Sequence, residues 1–226
     1  MSTDQERRNL WTEHRPDNFI YETGLVLPRK GAIKKLIRRS LMTTSGRTAD
    51  IARSPDRAVL QDEVFPEVAA RGGNILFVGT QAYTIDYPAL LEASGGTCWT
   101  IDCDPAVARF GSPNRHIIGS ILDLDQLLPE VRFETIILAG VFGFGVNRFS
   151  EQVAVLAKCF TALTPDGFLV LSWNERRVPS SVLEEATTRW FDFRSFGALP
   201  PRIWVNGCDQ NFAFLKRSIV RGLRTT

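Results

Sequence analysis

The chain has 226 residues, of which 44% are hydrophobic, and a formal net charge of +2. That length suits one α/β domain with an accessory segment, and the balance of charge offers no whole-molecule field for a nucleic acid. No apolar run approaches the ~20 residues of a membrane span. The polar N-terminus MSTDQERRNL does not read as a secretory signal. Cys98, Cys103, Cys159 and Cys208 form no CxxC pair and have too few histidines beside them for zinc; they read as reduced thiols of a cytoplasmic protein.

In chain order, residues 1–72 stand apart, with many charges and few β-branched runs. RKGAIKKLIRRSLM (residues 29–42) predicts a short basic helix, with Ile33, Leu36, Ile37 and Leu41 on one face. No aromatic platform is interleaved with its charges. It reads as a solvated face, or as an attractor of a small anionic substrate. TTSGRTADIARSPDR is a polar loop. AVLQDEVFPEVAARGG predicts a second helix, broken or kinked at Pro66 and ended by Gly72 and Gly73.

From Asn74 onward strands and helices alternate. NILFVG, TCWTID, RHIIG, FETIILAG and GFLVLSW read as strands. YPALLEAS, PAVARFG, DLDQLL, SEQVAVLAKCFTAL and SSVLEEATTRW lie between or after them, all but the unassigned DLDQLL as helix candidates. Ser150 is the expected N-cap of the fourth of these, with Val153, Leu156, Ala157 and Phe160 on its apolar face. FDFRSF and NFAFLKRS close the chain as two more strands. The expectation is a Rossmann-like α/β fold: a seven-stranded, mostly parallel sheet with helices on both faces and an antiparallel final strand. The expected division is an accessory segment at 1–72 and a domain at 73–226.

The stretch NILFVGTQAYT runs a buried strand into Gly79, where nucleotide loops begin, but Thr80, Gln81, Ala82 and Tyr83 follow in place of further glycines. Ligands of open α/β sheets bind beyond the carboxyl ends of strands. Gly79 permits a tight turn and close approach of a ligand, or merely turns strand into helix. Without GxGxxG a dinucleotide pyrophosphate is disfavoured. Asp102 ends the second strand, roughly 20 residues further on, where a carboxylate accepts hydrogen bonds from a ribose diol. Asp104 either shares that task or caps the PAVARF helix.

In that order, ILFVGTQAYT, WTIDCDP, RHIIGSILDL, FETIILAGVFGFGVN and LTPDGFLVLSWNE resemble the class I S-adenosylmethionine-dependent methyltransferases, as do the two late strands. Asp166 stands where that family often has a glycine. The resemblance implies S-adenosylmethionine as cofactor. It implies that Gly79, Thr80 and Gln81 face its methionine part, with side chains of Gln81, Tyr83 and Thr84 replacing backbone contacts. Asp102, and Asp104 if it shares the task, would hold the ribose. Gly119, Ser120 and Ile121 would border the adenine, with Ser120 where an acidic residue is frequent. Gly140 and Val141 would line the methyl side. Phe142, Phe144, Trp173 and Asn174 are the candidate substrate contacts, with a bland alternative as core residues for Phe142 and Phe144 and as a turn residue for Asn174.

No catalytic motif is expected, because displacement on a sulfonium needs a base only when the nucleophile keeps its proton. His14 and Tyr21, in an N-terminal lid, are the candidates for that role, and His116 is structural. No metal is expected. The function read from the sequence is methyl transfer to an O or N atom of a small molecule such as a specialised metabolite; the alternative is an inactive protein of the same fold serving as a binding or regulatory partner. Nucleic acid and membrane are not expected as partners. Residues 1–72 are left as a lid, a homodimer interface or a flexible arm.

Overall fold

A computed structural model of the chain describes residues 50–218. The basic helix expected at 29–42, His14 and Tyr21 lie outside the described residues.

The helical run before the sheet starts at Pro55, earlier than its apolar pattern suggests. It consists of α1 (Pro55–Val59), a π turn (Leu60–Val64) and α2 (Phe65–Arg71). Pro66 cannot donate a backbone hydrogen bond, and directly ahead of it the ladder slips by one residue, so that the Phe65 N–H reaches the Leu60 carbonyl. The break expected at Pro66 therefore takes the form of a π turn. Gly72 ends the run at φ +69°.

The remaining elements are β1 (Asn74–Val78), α3 (Tyr87–Leu91), β2 (Thr97–Asp102), β3 (His116–Ile118), α4 (Leu124–Leu127), β4 (Phe133–Ala139), α5 (Phe149–Ala162), β5 (Leu163–Asn174), α6 (Ser180–Thr187), β6 (Phe191–Phe193), β7 (Arg202–Trp204) and β8 (Gln210–Arg217). Short 3-10 turns at Ala82–Thr84, Pro105–Phe110 and Ile121–Asp123 stand where longer helices would follow β1, β2 and β3.

The strands form one sheet in the order β3-β2-β1-β4-β5-β8-β6, with β7 also on β8. β1 to β5 pair in parallel, and β8 runs antiparallel to β5. The fold class is as expected, but the described residues form eight strands rather than seven. β6 pairs with Leu215–Arg217 of β8 and β7 with Asn211–Ala213, end to end along the same edge. Between them the chain leaves the edge over a stretch that contains Pro200 and Pro201, and prolines lack the N–H a continuous edge strand would use.

Each strand alternates between two apolar layers, which is why the central ones read as unbroken apolar runs. Leu76, Val78, Ile136, Leu138, Leu169 and Leu171 pack with Leu124 of α4, Val155, Leu156 and Cys159 of α5, and Leu183 and Ala186 of α6. Ile75, Phe77, Ile137, Val170 and Phe214 pack with Leu60, Val64, Phe65 and Val68 of the first helical run and with Tyr87 and Leu91 of α3. Phe65, Phe77 and Tyr87 meet edge to face, with centroids 4.9–6.3 Å apart.

α5 departs from its expected start. It is capped at Arg148, whose backbone is extended and whose N–H donates to Glu151 Oε2 at 3.2 Å. Ser150 is an exposed residue inside the first turn and not the cap. The buried stripe is Gln152, Val155, Leu156, Cys159 and Ala162, a slight rotation from the face predicted.

Candidate functional site

The strand order reverses between β1 and β4, the position at which open α/β sheets present a crevice beyond their carboxyl ends. Four loops converge there, after β1, β2, β3 and β4.

The first loop turns at Gly79, with φ +88° and its N–H on the Ile101 carbonyl at 2.9 Å. A Cβ at Gly79 would meet nothing within 4 Å, so the glycine serves conformation and leaves clear space before the loop. The following N–H groups turn inward. Thr80 N–H donates to Asp102 Oδ2 at 2.7 Å, and Gln81 N–H donates to the Thr84 hydroxyl at 3.0 Å. That hydroxyl donates to the Gln81 carbonyl at 2.9 Å. Thr80 and Thr84 are buried. The Thr84 side chain is therefore spent on closing the loop and is not free to replace a ligand contact. The Gln81 side chain is exposed and Tyr83 is half-buried.

Asp102 ties three loops together. Besides Thr80, its Oδ1 accepts the Asp104 N–H at 2.9 Å, and its backbone carbonyl accepts the Gly119 N–H at 2.9 Å. A carboxylate has about four acceptor positions, so two remain. The Asp104 side chain accepts the Ala106 N–H at 2.9 Å and caps the Pro105–Phe110 turn. Of its two readings the structure supports the cap.

After β3, Gly119 is packed so that a Cβ would lie 2.5 Å from Leu127 Cδ1. Ser120 Oγ accepts the Leu122 N–H at 3.2 Å and caps the next turn. Ile121 is a core side chain, 5% exposed. Its side chain is turned into the core, and Gly119 and the half-buried Ser120 stand at the end of β3.

After β4, Gly140 has φ +73° and Val141 is half-buried. The Val141 carbonyl accepts both Phe144 N–H and Val146 N–H at 3.2 Å, closing a tight loop. Phe142 is fully buried and Trp173 only 2% exposed; both belong to the core layer shared with α5 and α6. Their expected roles as substrate contacts are corrected. Trp173 follows Leu169 and Leu171 in strand parity, and its indole N–H donates to Glu175 Oε2 at 3.1 Å. Asn174 forms a turn, its Oδ1 accepting the Arg176 N–H at 3.1 Å. Phe144 is 56% exposed, with the Arg177 guanidinium 4.3 Å above its ring.

One residue at this end of the sheet escaped the sequence reading. Arg57 of α1 is 8% exposed. Its guanidinium lies 5.1 Å above the Tyr83 ring, and its Nη2 is 3.5 Å from where a Gly140 Cβ would stand. It thus bridges the loops after β1 and β4. The available signal was helical period: Arg57 shares a face with Leu60 and Val64, three and seven residues on, so a cation lies in line with a buried stripe. Burial pushes the neighbouring Tyr87 hydroxyl up to about 12, while the Arg57 charge pulls the other way.

No protein-family model and no curated protein matches this chain. Solved structures do match. A TehB-like SAM-dependent methyltransferase from Corynebacterium glutamicum aligns at 22% identity and TM-score 0.52, over 76% of this chain and 98% of that one. The N-methyltransferase NodS from Bradyrhizobium japonicum aligns at 17% identity and TM-score 0.54, over 73% and 98%. A candidate rRNA methylase from Clostridium thermocellum aligns at 10% identity and TM-score 0.52, over 69% and 96%. At these identities what is shared is the architecture: the chain has the class I methyltransferase fold.

Proposed function

We propose that this chain is an S-adenosylmethionine-dependent methyltransferase acting on an O or N atom of a small molecule. The observation that carries the reading is the division of hydrogen bonds at the crevice. The Thr80 and Gln81 N–H groups are consumed within the protein, so the first loop has no cradle to offer a pyrophosphate. Asp102 keeps acceptor capacity for a ribose diol, and Gly79 fronts clear space. An adenosyl ligand without phosphates fits that set of donors and acceptors; a dinucleotide does not.

The cofactor supplies an electrophilic methyl group on a sulfonium. In this reading Asp102 holds the ribose, and Gly119 and Ser120 border the adenine. Gly79, Thr80, Gln81 and Tyr83 face the amino-acid end. Gly140 and Val141 line the methyl side, and the exposed ring of Phe144 meets the acceptor. Holding nucleophile and methyl in line accounts for much of the acceleration. A base is needed only for an acceptor that keeps its proton, and His14 and Tyr21 are proposed for it. Residues 1–72 are an accessory segment to a domain at 73–226. Its described part, α1 to α2, packs on the sheet through Leu60, Val64, Phe65 and Val68. The free thiols of all four cysteines support a cytoplasmic location. Among the described residues no helix is long and apolar enough to cross a membrane.

A non-catalytic binding or regulatory partner is the second reading. It is favoured by Asp102 already accepting two backbone N–H groups. Calorimetric titration with S-adenosylmethionine, S-adenosylhomocysteine and NAD separates the readings. Micromolar binding of the adenosyl ligands alone, about −8 kcal/mol, supports the first. Absence of adenosyl binding, or preference for NAD, overturns it. Transfer of labelled methyl groups into a metabolite extract, against total RNA, then tests the acceptor class.

A further inference from the structure

Arginine is almost never fully buried without a partner, yet Arg57 is 8% exposed and satisfied only in part. Its Nε has no hydrogen-bond acceptor. The adjacent Asp56 Oδ2 stands 3.4 Å from that nitrogen, close enough to offset charge but not aligned as a hydrogen bond. The Asp56 carboxylate is itself engaged through Oδ1 by the Ser54 hydroxyl. The guanidinium is fixed by its position over Tyr83 and beside Gly140. That puts a desolvated cation where β1 and β4 part, with the clear space before Gly79 in the same crevice.

A planar guanidinium in such a place matches a carboxylate, through two parallel charge-assisted hydrogen bonds. The crevice has an acidic group at β2, Asp102, suited to hydroxyls, and a basic group at the β1–β4 junction. A ligand that fits both has a nucleoside at one end and a carboxylate at the other. We infer that Arg57 binds the carboxylate of the cofactor's amino-acid end, an inference that rests on the methyltransferase reading. The helical run before β1 then forms one wall of the cofactor site. Lys in place of Arg57 keeps charge but not the fork.

The test compares two ligands with the same nucleoside. S-adenosylhomocysteine has the amino-acid carboxylate; 5′-methylthioadenosine lacks it. Both are titrated calorimetrically into the wild-type chain, Arg57→Ala and Arg57→Lys, with circular dichroism checking each fold. Arg57→Ala is expected to lose at least about tenfold in affinity for S-adenosylhomocysteine and less than about threefold for methylthioadenosine. Arg57→Lys is expected to fall between. Equal losses for both ligands, or none, overturn the inference and leave the methyltransferase reading standing. If Arg57→Ala does not fold, the same comparison is read from Arg57→Lys. A wild-type chain that binds neither ligand overturns both.

Discussion

Asp102 holds the crevice in shape with the same carboxylate that the proposed function gives to the ribose. Its two oxygens accept Thr80 N–H at 2.7 Å and Asp104 N–H at 2.9 Å. Hydrogen bonds to a charged group contribute about 1.5–3 kcal/mol each. Asp102→Ala removes both and releases the loops after β1 and β2 from one another. Affinity for adenosyl ligands is expected to fall by about a hundredfold or more, measured by calorimetry; an unchanged affinity would sink the site assignment. Gly79→Ala separates conformation from packing. No neighbour opposes the added methyl, but φ is +88°. The expected loss of stability is about 1–2 kcal/mol, seen as a lower urea midpoint, together with weaker adenosyl binding because the methyl occupies the space before the loop. A variant with wild-type midpoint and affinity would show that neither the turn nor that space matters.

At the scale of elements, Glu175 ties α6 to the already paired strands β5 and β8. It follows β5 and accepts from the Trp173 indole at 3.1 Å, from Ser180 N–H at 2.9 Å and from Asn211 Nδ2 at 3.2 Å, and the Ser180 hydroxyl adds a fourth bond. β5, β8 and α6 thus share one acceptor, and its donors Trp173, Ser180 and Asn211 are all buried. Glu175→Ala leaves them without it, at an expected cost of about 3 kcal/mol in urea unfolding with unchanged slope. Glu175→Gln should recover part, and a loss below about 0.5 kcal/mol in the Ala variant would show the cluster to be idle.

Elements were also where the sequence was most and least legible. The sheet could be read because strands buried on both faces leave apolar runs such as ILFV, and doubly wound folds repeat them at regular spacing. Trp173 and Phe142 were misplaced because an apolar run hides parity: it does not say which layer a side chain enters. The caps were legible only in part for a different reason: Asp104 was offered as a cap and is one, Ser120 is a cap that was not expected, and Ser150 was expected to cap and does not. Ser150, Asp104 and Ser120 each have the chemistry of a cap, but only backbone geometry decides which one caps and which does not. Arg57 was lost because a cation on a helix is read as solvated, and its burial depends on what the sheet brings against it.

The molecule as a whole has a pH window set by groups the fold keeps neutral. Burial holds His116 below its ordinary 6.5, with Asp102 pulling weakly upward. The unfolded chain takes up that proton near pH 6.5 and the folded chain resists it, so stability is lost as pH falls below that value. The alkaline side runs in the opposite sense. Burial pushes the Cys98 thiol up to about 11 and the Cys159 thiol up to about 12, both from 9.0. The Tyr87 hydroxyl rises from 10.0 to about 12 for the same reason. Above pH 9 the unfolded chain releases protons that the folded chain keeps, and stability falls again. The pairs Lys158–Asp125 and Lys216–Asp166 hold their carboxyls below the usual range, but both aspartates are exposed and such pairs contribute little. Urea unfolding at intervals from pH 5.5 to 10.5 is therefore expected to give a plateau between about 6.5 and 9. His116→Gln should flatten the acid limb alone, and Cys98→Ala should make the alkaline limb shallower. Stability that stays level above pH 9 in the wild-type chain would mean that these thiols reach water, and that the two apolar layers on either side of the sheet are more open than their packing indicates.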